Sequence, residues 1–193
     1  MANSTNAYGY MVGAVTSDAG LRDFLQVMVK SITGLSGKLV RPMWQPNPPK
    51  QPAINVNWCA FGWTNIKSDA NAYVKMDVNG LGGTLQRYED LELTVIFYGD
   101  NSHGYATLLR DGLEISQNRD TLRANGIAYI SEGGLTRSPE LINNLWYDRH
   151  DLKLKFNREV NRVYSILSFV DAQGVIKTDH VLPITRQFST VIR

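Results

Sequence analysis

Cysteine and histidine are scarce in this sequence of 193 residues, and their scarcity bears on the chemistry it can carry. The single cysteine, Cys59, rules out an internal disulfide. Because Trp58 precedes it in an apolar run, we predict that it is a small buried side chain. The three histidines, His103, His150 and His180, are far apart and show no metal-ligand spacing. The sequence also lacks a Gly-x-Ser-x-Gly elbow and a Cys-x-x-Cys pair. We therefore expect no metal, no cofactor and no enzymatic activity.

Long apolar runs and an excess of one charge are also missing. No stretch approaches the roughly 18 apolar residues that a membrane helix needs, so we expect no membrane partner. The 20 basic and 18 acidic residues give a net charge of +2, which does not indicate nucleic-acid binding as the main role. Met1–Ser17 contains no basic residue and does not resemble a secretory signal. We predict an N-terminal arm over 1–17, one α+β domain over 18–170 and a C-terminal hairpin or arm over 171–193.

Helical spacing of apolar residues predicts a first helix over Asp18–Ile32, and Gly34 and Gly37 are expected to end it. A second helix should begin at Asn101 or Ser102, break near Ser116 and end at Asn125-Gly126. Its inner stripe is predicted to contain Tyr105, Leu108, Leu109 and Leu113. A shorter helix is expected after Ser138-Pro139-Glu140, because a capping residue, a proline and an acidic residue are typical of a helix start.

The strongest strand signal lies in Leu85–Tyr98, between the two helices. Alternation places Leu91, Leu93, Val95 and Phe97 on one face, which we predict to be the core face. The other face begins with Glu92 and becomes apolar toward Tyr98. This gradient indicates a face that is exposed at one end and covered at the other, either by the chain itself or by a partner. Val56–Ile66 and Ala72–Val78 are predicted to pair as a hairpin before this strand.

Five of the seven prolines lie between Arg41 and Pro52, so this segment is neither helix nor inner strand. Two interpretations remain open: a stiff connector, or a contact loop anchored by Arg41 and Trp44. Asn79–Gly83 lacks the pattern of a phosphate-binding loop and is expected to be a hairpin tip. Tryptophans and tyrosines exceed what one small core needs to hold, which points to exposed interaction surfaces and an oligomer.

The order of several motifs resembles a known family. The most specific segments are Leu39-Val40-Arg41-Pro42-Met43-Trp44-Gln45-Pro46-Asn47-Pro48-Pro49 and Asn57-Trp58-Cys59-Ala60-Phe61-Gly62. Further matches are Leu21–Leu25, Leu108–Leu113 and Pro139–Trp146. Together these segments are similar to the neck-terminator or tail-terminator-like family of tailed phages, over about Leu21 to Phe156. Residues 1–17 and the chain beyond about Val170 lie outside the resemblance.

The resemblance implies a fold and a role. The fold is an α+β one: a mixed, largely antiparallel sheet backed by two main helices on one face, with a β-hairpin extension. The role is that of a structural virion protein, assembled in the host cytoplasm, without enzymatic activity. Such proteins form a ring, usually a homohexamer, at the head-proximal end of the tail tube. The ring ends tube growth and joins the tail to the neck or head connector.

The resemblance also implies partners: further copies of the chain, the tail tube protein, possibly a sheath, and the neck connector. DNA would pass through the lumen without specific binding, and a near-neutral charge suits this passage. We expect the contacts to be made by the proline-rich loop, the hairpin tip and the end of the central strand. The candidate interface residues are Arg41, Trp44, Gln45, Pro48, Asn79, Leu81 and Tyr98. The alternatives are a neck connector that completes the head, another tail ring protein, or a domain that binds a small ligand as an enzyme.

Overall fold

The computed structural model describes residues 18–76, 82–142, 144–165, 171–177 and 185–191. The helices in these ranges are α1 (Ala19–Thr33), α2 (Ser102–Gly112) and α3 (Ser116–Ala124). The strands are β1 (Val40–Pro42), β2 (Trp58–Ser68), β3 (Tyr73–Met76), β4 (Gly83–Tyr98), β5 (Ile127–Arg137), β6 (Glu140–Ile142), β7 (Leu145–Tyr147), β8 (Arg149–Tyr164), β9 (Asp171–Lys177) and β10 (Thr185–Val191).

The chain divides into two compact units. The larger comprises residues 17–70 and 87–160, and the smaller comprises residues 1–16, 71–86 and 161–193. In the described part of the smaller unit, β3 pairs antiparallel with Gly83–Gln86 of β4, and β9 pairs antiparallel with β10. The larger unit contains the main sheet, in the order β1-β2-β4-β8-β5. The β1–β2 pair is parallel, whereas β2 with β4 and β5 with β8 are antiparallel. The predicted α+β class, a mixed and mostly antiparallel sheet with helices, is confirmed.

The core of the larger unit lies between one face of the sheet and the helices. Its sheet side includes Cys59 and Phe61 of β2, together with the predicted core face of β4. Its helix side is formed by Leu25, Met28 and Val29 of α1, Ala106 and Leu109 of α2, Leu113 just after α2, and Leu122 of α3. All four predicted core residues of β4 are at most 2% exposed. The alternation of apolar residues in Leu85–Tyr98 therefore predicted the correct face.

Helix α1 is held at its end and along its polar side. Gly34 adopts a left-handed φ of 73° and donates its N–H to Lys30 O at 2.9 Å, so the helix ends there as the sequence indicates. The side-chain amide of Gln26 donates to Val40 O at 2.8 Å and fixes β1 beside the helix. Helices α1 and α2 approach closely at Gly112, where a β-carbon would lie 2.4 Å from Ile32 Cγ2. The glycine is thus required by the helix contact.

One polar pair lies at the edge of this core. His150, which is 8% exposed, places Nδ1 2.9 Å from the Ser102 hydroxyl at the start of α2. The His103 ring stands edge-on to the His150 ring, with centroids 5.2 Å apart. Burial, followed by the nearby His103, lowers the pKa of His150 and favours the neutral ring.

Three expectations about local structure are wrong. β2 and β3 do not form a hairpin with each other, because each pairs with a different part of β4. Residues after Ser138-Pro139 do not form a helix: Glu140–Ile142 pairs with Leu145–Tyr147 as a short β-hairpin. Leu108 is 47% exposed, because α2 turns Ala106 and Leu109 toward the sheet.

Candidate protein-contact groove

The outer face of the main sheet carries an aromatic pair at the end of β4. Trp58 of β2 stands opposite Tyr98 of β4 in the antiparallel register. Because neighbouring Cys59 and Phe97 point into the core, alternation directs Trp58 and Tyr98 to the other face. Their rings stack with centroids 4.4 Å apart and planes 7° from parallel. The apolar trend toward Tyr98 predicts that this end of the outer face is covered. The stacked rings of Trp58 and Tyr98 lie at that end.

The proline-rich segment forms one wall over the aromatic pair. The backbone N–H of Met43 donates to Phe61 O at 2.7 Å, which anchors the start of this segment to β2. The Trp44 ring then lies over Gly62, where a β-carbon would be 2.6 Å from Trp44 Cζ3. Trp44 itself adopts a positive φ of 55°, an uncommon backbone conformation for a bulky residue, and is 75% exposed. The segment thus holds a large aromatic side chain at the surface.

The β6–β7 hairpin supplies a second wall. Its residues Glu140 and Ile142 line the space beside Tyr98. Arg149 Nη1 donates to Glu140 Oε2 at 3.1 Å, and its Nε and Nη2 donate to both carboxylate oxygens of Asp151 at 2.7 and 2.8 Å. The same guanidinium lies 5.9 Å from the Tyr98 ring centroid. Arg149 therefore fixes the hairpin against the sheet.

Between these walls runs a groove with a volume of about 270 Å³. Its lining combines prolines, aromatic rings and a few polar groups. The lining residues are Arg41, Pro42, Met43, Trp44, Gln45, Pro48, Pro49, Gln51, Trp58, Ala60, Tyr98, Glu140 and Ile142. We call this space the aromatic groove. Mostly apolar walls with a few fixed polar groups are typical of surfaces that bind another molecule.

Arg41, which lines the groove, and Arg149, which holds the β6–β7 hairpin, differ in their charge balance. Arg149 is neutralised by Asp151 and Glu140, and its hydrogen bond to Asp151 is the main cause that raises its pKa above the ordinary value. Arg41 instead donates Nε to Lys38 O at 3.0 Å and Nη1 to Lys50 O at 2.8 Å. Its guanidinium lies 5.4 Å from the Trp58 ring centroid. No carboxylate of the residues that the structure describes lies within 4 Å of Arg41, so none of these residues balances its positive charge.

A buried donor also lies at the floor of the groove. Trp58 is 9% exposed, and its Nε1 has no hydrogen-bond partner within the described ranges. Leaving such a donor unsatisfied costs about 1–3 kcal/mol. Burial raises the pKa of the nearby Tyr98 hydroxyl, and Arg149 acts in the opposite direction. The phenol is therefore neutral and can donate or accept a hydrogen bond.

The structure brings together five of the seven residues predicted as an interface: Arg41, Trp44, Gln45, Pro48 and Tyr98 all line the aromatic groove. Asn79 and Leu81 lie outside the described residues. Sequence reasoning missed Trp58, Glu140 and Ile142 as groove residues. Trp58 belongs to the motif Asn57–Gly62, so an aromatic signal was present, but its register with Tyr98 depends on long-range pairing.

The polar pair of Ser102 and His150 lies outside the groove. The Ser102 hydroxyl bonded to His150 belongs to a residue that is only 1% exposed, so a substrate has no access to it. No group of three or more potential metal ligands occurs in the described part of the chain. None of the helices in the described ranges is both long enough and apolar enough to cross a membrane.

The elements together define a class of protein: an α+β scaffold with one main sheet, helices on its inner face and an aromatic groove on its outer face. A family model described as phage neck terminator protein matches residues 18–180, and the chain belongs to this family. It is therefore a structural protein of a bacteriophage neck, and the virion is its location. No curated protein matches the chain.

Proposed function

We propose that copies of this protein form a ring at the head-proximal end of a phage tail tube. The ring ends tube growth and joins the tail to the connector below the head. Six is the expected number of subunits. Membership of the neck-terminator family supports this role.

The observation that carries the proposal is the aromatic groove with Trp44 at its rim. A tryptophan that is 75% exposed beside a proline-lined groove is typical of protein-contact surfaces, where aromatic and arginine side chains dominate the binding energy. The proline-rich loop and the tip around Asn79–Gly83 are the proposed contacts with neighbouring subunits or with the tube.

The charge of the chain suits passage of DNA through the ring. A net charge of +2 leaves no large excess of cations, and a strongly basic lumen would retain phosphates during ejection. The remaining proposed partners are the tail tube protein, a sheath where the tail has one, and the neck connector. We also propose that the ring assembles in the host cytoplasm.

Native mass spectrometry and negative-stain imaging test the ring. We expect a closed ring with a central hole, and a monomer at about 100 µM would contradict the proposal. A phage that lacks the protein tests its position. Overlong tails are the expected result, whereas tails of normal length that fail to join heads would assign the chain to the connector.

The loop is tested separately by replacing Arg41 and Trp44 with alanine. We expect loss of ring assembly or of tail joining without loss of folding, because both side chains lie at the surface of the groove. Rings and tails that form normally with both substitutions would exclude the loop as a contact.

A further inference from the structure

We propose that the aromatic groove binds an acidic, extended segment of another neck or tail protein, with a carboxylate on Arg41 and a backbone carbonyl on Trp58 Nε1. This inference rests on the proposed function, because it names the chemistry of a partner that the ring meets. It concerns the interior of the groove, and Trp44 at the rim stays a proposed contact between subunits. The chemistry of the partner follows from two donors in the groove and from the charge around them.

Arg41 is held in place and keeps donors to spare. Its Nε donates to Lys38 O at 3.0 Å and its Nη1 to Lys50 O at 2.8 Å, while its guanidinium lies 5.4 Å from the Trp58 ring centroid. A guanidinium has five N–H groups, so three remain for an incoming group. A carboxylate fits, because it can accept two parallel hydrogen bonds from one guanidinium and supplies the counter-charge that the described residues do not.

The sequence around the groove is basic over a long stretch. Residues 24–68 contain five cations and no aspartate or glutamate, although the whole chain carries 20 basic and 18 acidic residues. None of the five forms an ion pair with a residue that the structure describes. The five are Lys30, Lys38, Arg41, Lys50 and Lys67. Because Lys38 and Lys50 are exposed and their carbonyls contact Arg41, three positive charges gather at the proline-rich wall and favour an acidic partner.

The floor of the groove adds a neutral donor. Trp58 is 9% exposed, and its Nε1 has no acceptor within the described ranges. A buried donor of this kind favours an occupant that brings an acceptor. The walls include Met43, Pro48 and Ile142, which suit aliphatic side chains or proline. An extended peptide offers side chains and carbonyls alternately, so it can satisfy the walls and the donor together.

A different protein fits the groove better than a second copy of this chain. Several carboxylates on strands of the main sheet and on β6 already lie within 4 Å of an arginine or lysine of the same chain. These are Glu89, Glu92, Glu132, Glu140 and Asp151. A second copy that offered one of them would lose that ion pair, whereas another protein would not.

Nucleic acid fits the groove less well than an acidic peptide. Phosphates repeat along a strand, so their recognition needs a row of cations. Among the described residues that line the groove, Arg41 is the single cation, and Glu140 adds a carboxylate that Arg149 neutralises. The apolar walls and the single cation therefore indicate a peptide with an isolated acidic side chain.

Binding of a short peptide tests this chemistry. The probe is acetyl-Val-Pro-Asp-Val-Pro-amide, whose prolines favour an extended chain, and the same peptide with asparagine is the neutral control. In 15N-labelled protein, the acidic peptide should move the Trp58 indole N–H signal downfield with a Kd on the order of 1 mM. The signal is assigned with a Trp58→Phe variant. The asparagine peptide should bind about tenfold more weakly.

Two substitutions of Arg41 separate its charge from its geometry. Arg41→Gln should bind both peptides equally, and Arg41→Lys should keep part of the preference, because lysine retains the charge without the planar pair of donors. Lys155→Glu is the matched control, since it changes an exposed cation of β8 outside the groove lining and should leave binding unchanged. Circular dichroism verifies that each variant is folded.

The titration has clear contrary outcomes. No saturable shift below about 10 mM peptide would overturn the inference, and so would equal binding of the two peptides by the native protein. A ten-residue oligothymidylate that saturates the same shift at a lower concentration than the acidic peptide would assign the groove to nucleic acid.

A phage that carries Arg41→Glu tests the source of the acidic segment. Rings of the purified variant should persist in native mass spectrometry, whereas the phage titre should fall about 100-fold, because the partner now meets a like charge. Second-site mutations that restore growth should replace an aspartate or glutamate with lysine or arginine in another neck or tail protein. Phage with Lys155→Glu should grow normally.

The results of the phage experiment also separate this inference from the proposed function. Compensating mutations within the chain itself would assign the groove to a second copy, and growth restored only by reversion at position 41 would overturn the inference. Rings that form while the groove binds no acidic peptide would leave the proposed function standing. A native chain that stays monomeric would overturn the ring, even where the peptide binds.

Discussion

The two faces of β4 differ in how completely the chain covers them. The inner face, Leu91, Leu93, Val95 and Phe97, is at most 2% exposed and belongs to the core between the helices and the sheet. The outer face is half-buried: Glu92 pairs with Lys153 at one end, and Tyr98 forms part of the aromatic groove at the other. The inner face stabilises the fold, whereas the outer face leaves surface available to a partner.

The largest expected effect comes from the inner face. Phe97→Ala removes a side chain that is 1% exposed and leaves a cavity, so the free energy of unfolding should fall by about 3–5 kcal/mol. Urea denaturation measures it. Thr94→Ala on the outer face of the same strand is the matched control and should cost less than about 1 kcal/mol. Equal costs at the two positions would remove the distinction between the faces.

The polar pair at the edge of the inner face should make stability depend on pH. Because burial lowers the pKa of His150 below its unfolded value of 6.5, the unfolded chain binds the extra proton first on acidification. Stability should therefore fall as the pH drops below about 6.5, by at most about 1.4 kcal/mol per pH unit, until folded His150 is protonated too. Urea denaturation between pH 7.5 and about 5 measures the slope. His150→Asn should reduce the slope, and a slope unchanged by this substitution would assign it to other groups.

The close approach of Trp44 to the outer face should be sensitive to one methyl group. Gly62→Ala places a β-carbon where the Trp44 ring lies, so the ring and its loop must shift. We expect a cost of about 1 kcal/mol, a change in tryptophan fluorescence and weaker ring assembly. Gly104→Ala in α2 is the matched control, because no atom beyond the neighbouring residues and backbone of its own helix lies within 4 Å of the added carbon, and alanine favours a helix. A Gly62→Ala variant with native fluorescence would show that Trp44 does not contact β2 in solution.

The smallest effect belongs to the ion pair on the outer face. Glu92 and Lys153 lie 3.3 Å apart, and their side chains are 25% and 53% exposed. Solvent screens such a pair, so Glu92→Gln should change the free energy of unfolding by less than about 0.5 kcal/mol. Thermal unfolding at low and high salt measures it. If Glu92→Gln lowered the free energy of unfolding by more than about 1 kcal/mol, the Glu92 end of the outer face would stabilise the fold as the inner face does.

Sequence periodicity predicted the parts of the fold that depend on local pattern. The inner face of β4, most of the apolar stripe of α1 and the end of α1 at Gly34 followed from spacing and from the conformational freedom of glycine. Leu108 was misplaced because several rotations of α2 offer a similar apolar stripe. Only contact with the sheet selects the one that buries Ala106.

Pairing between strands accounts for the other errors and for the residues that were missed. The signals of Ser138, Pro139 and Glu140 favour a helix start locally, but pairing of Leu141 with Trp146 outweighs them. β3 lies between β2 and β4 in the sequence, so a hairpin with either neighbour is possible, and the local pattern does not select β4. The same applies to the groove: its proline-rich wall is visible in the sequence, but the register that stacks Trp58 on Tyr98 is not.

Cys59 gives the protein a native reporter of how often its core opens. The thiol is 0% exposed, and burial raises its pKa to about 12, so a thiol reagent reacts only after the strands around it separate. As the single cysteine, it reports one site without any engineered label. The rate of its modification, compared with that of an unfolded chain, measures the free energy of opening. The same measurement in free subunits and in assembled rings would show whether assembly slows the motions of each subunit.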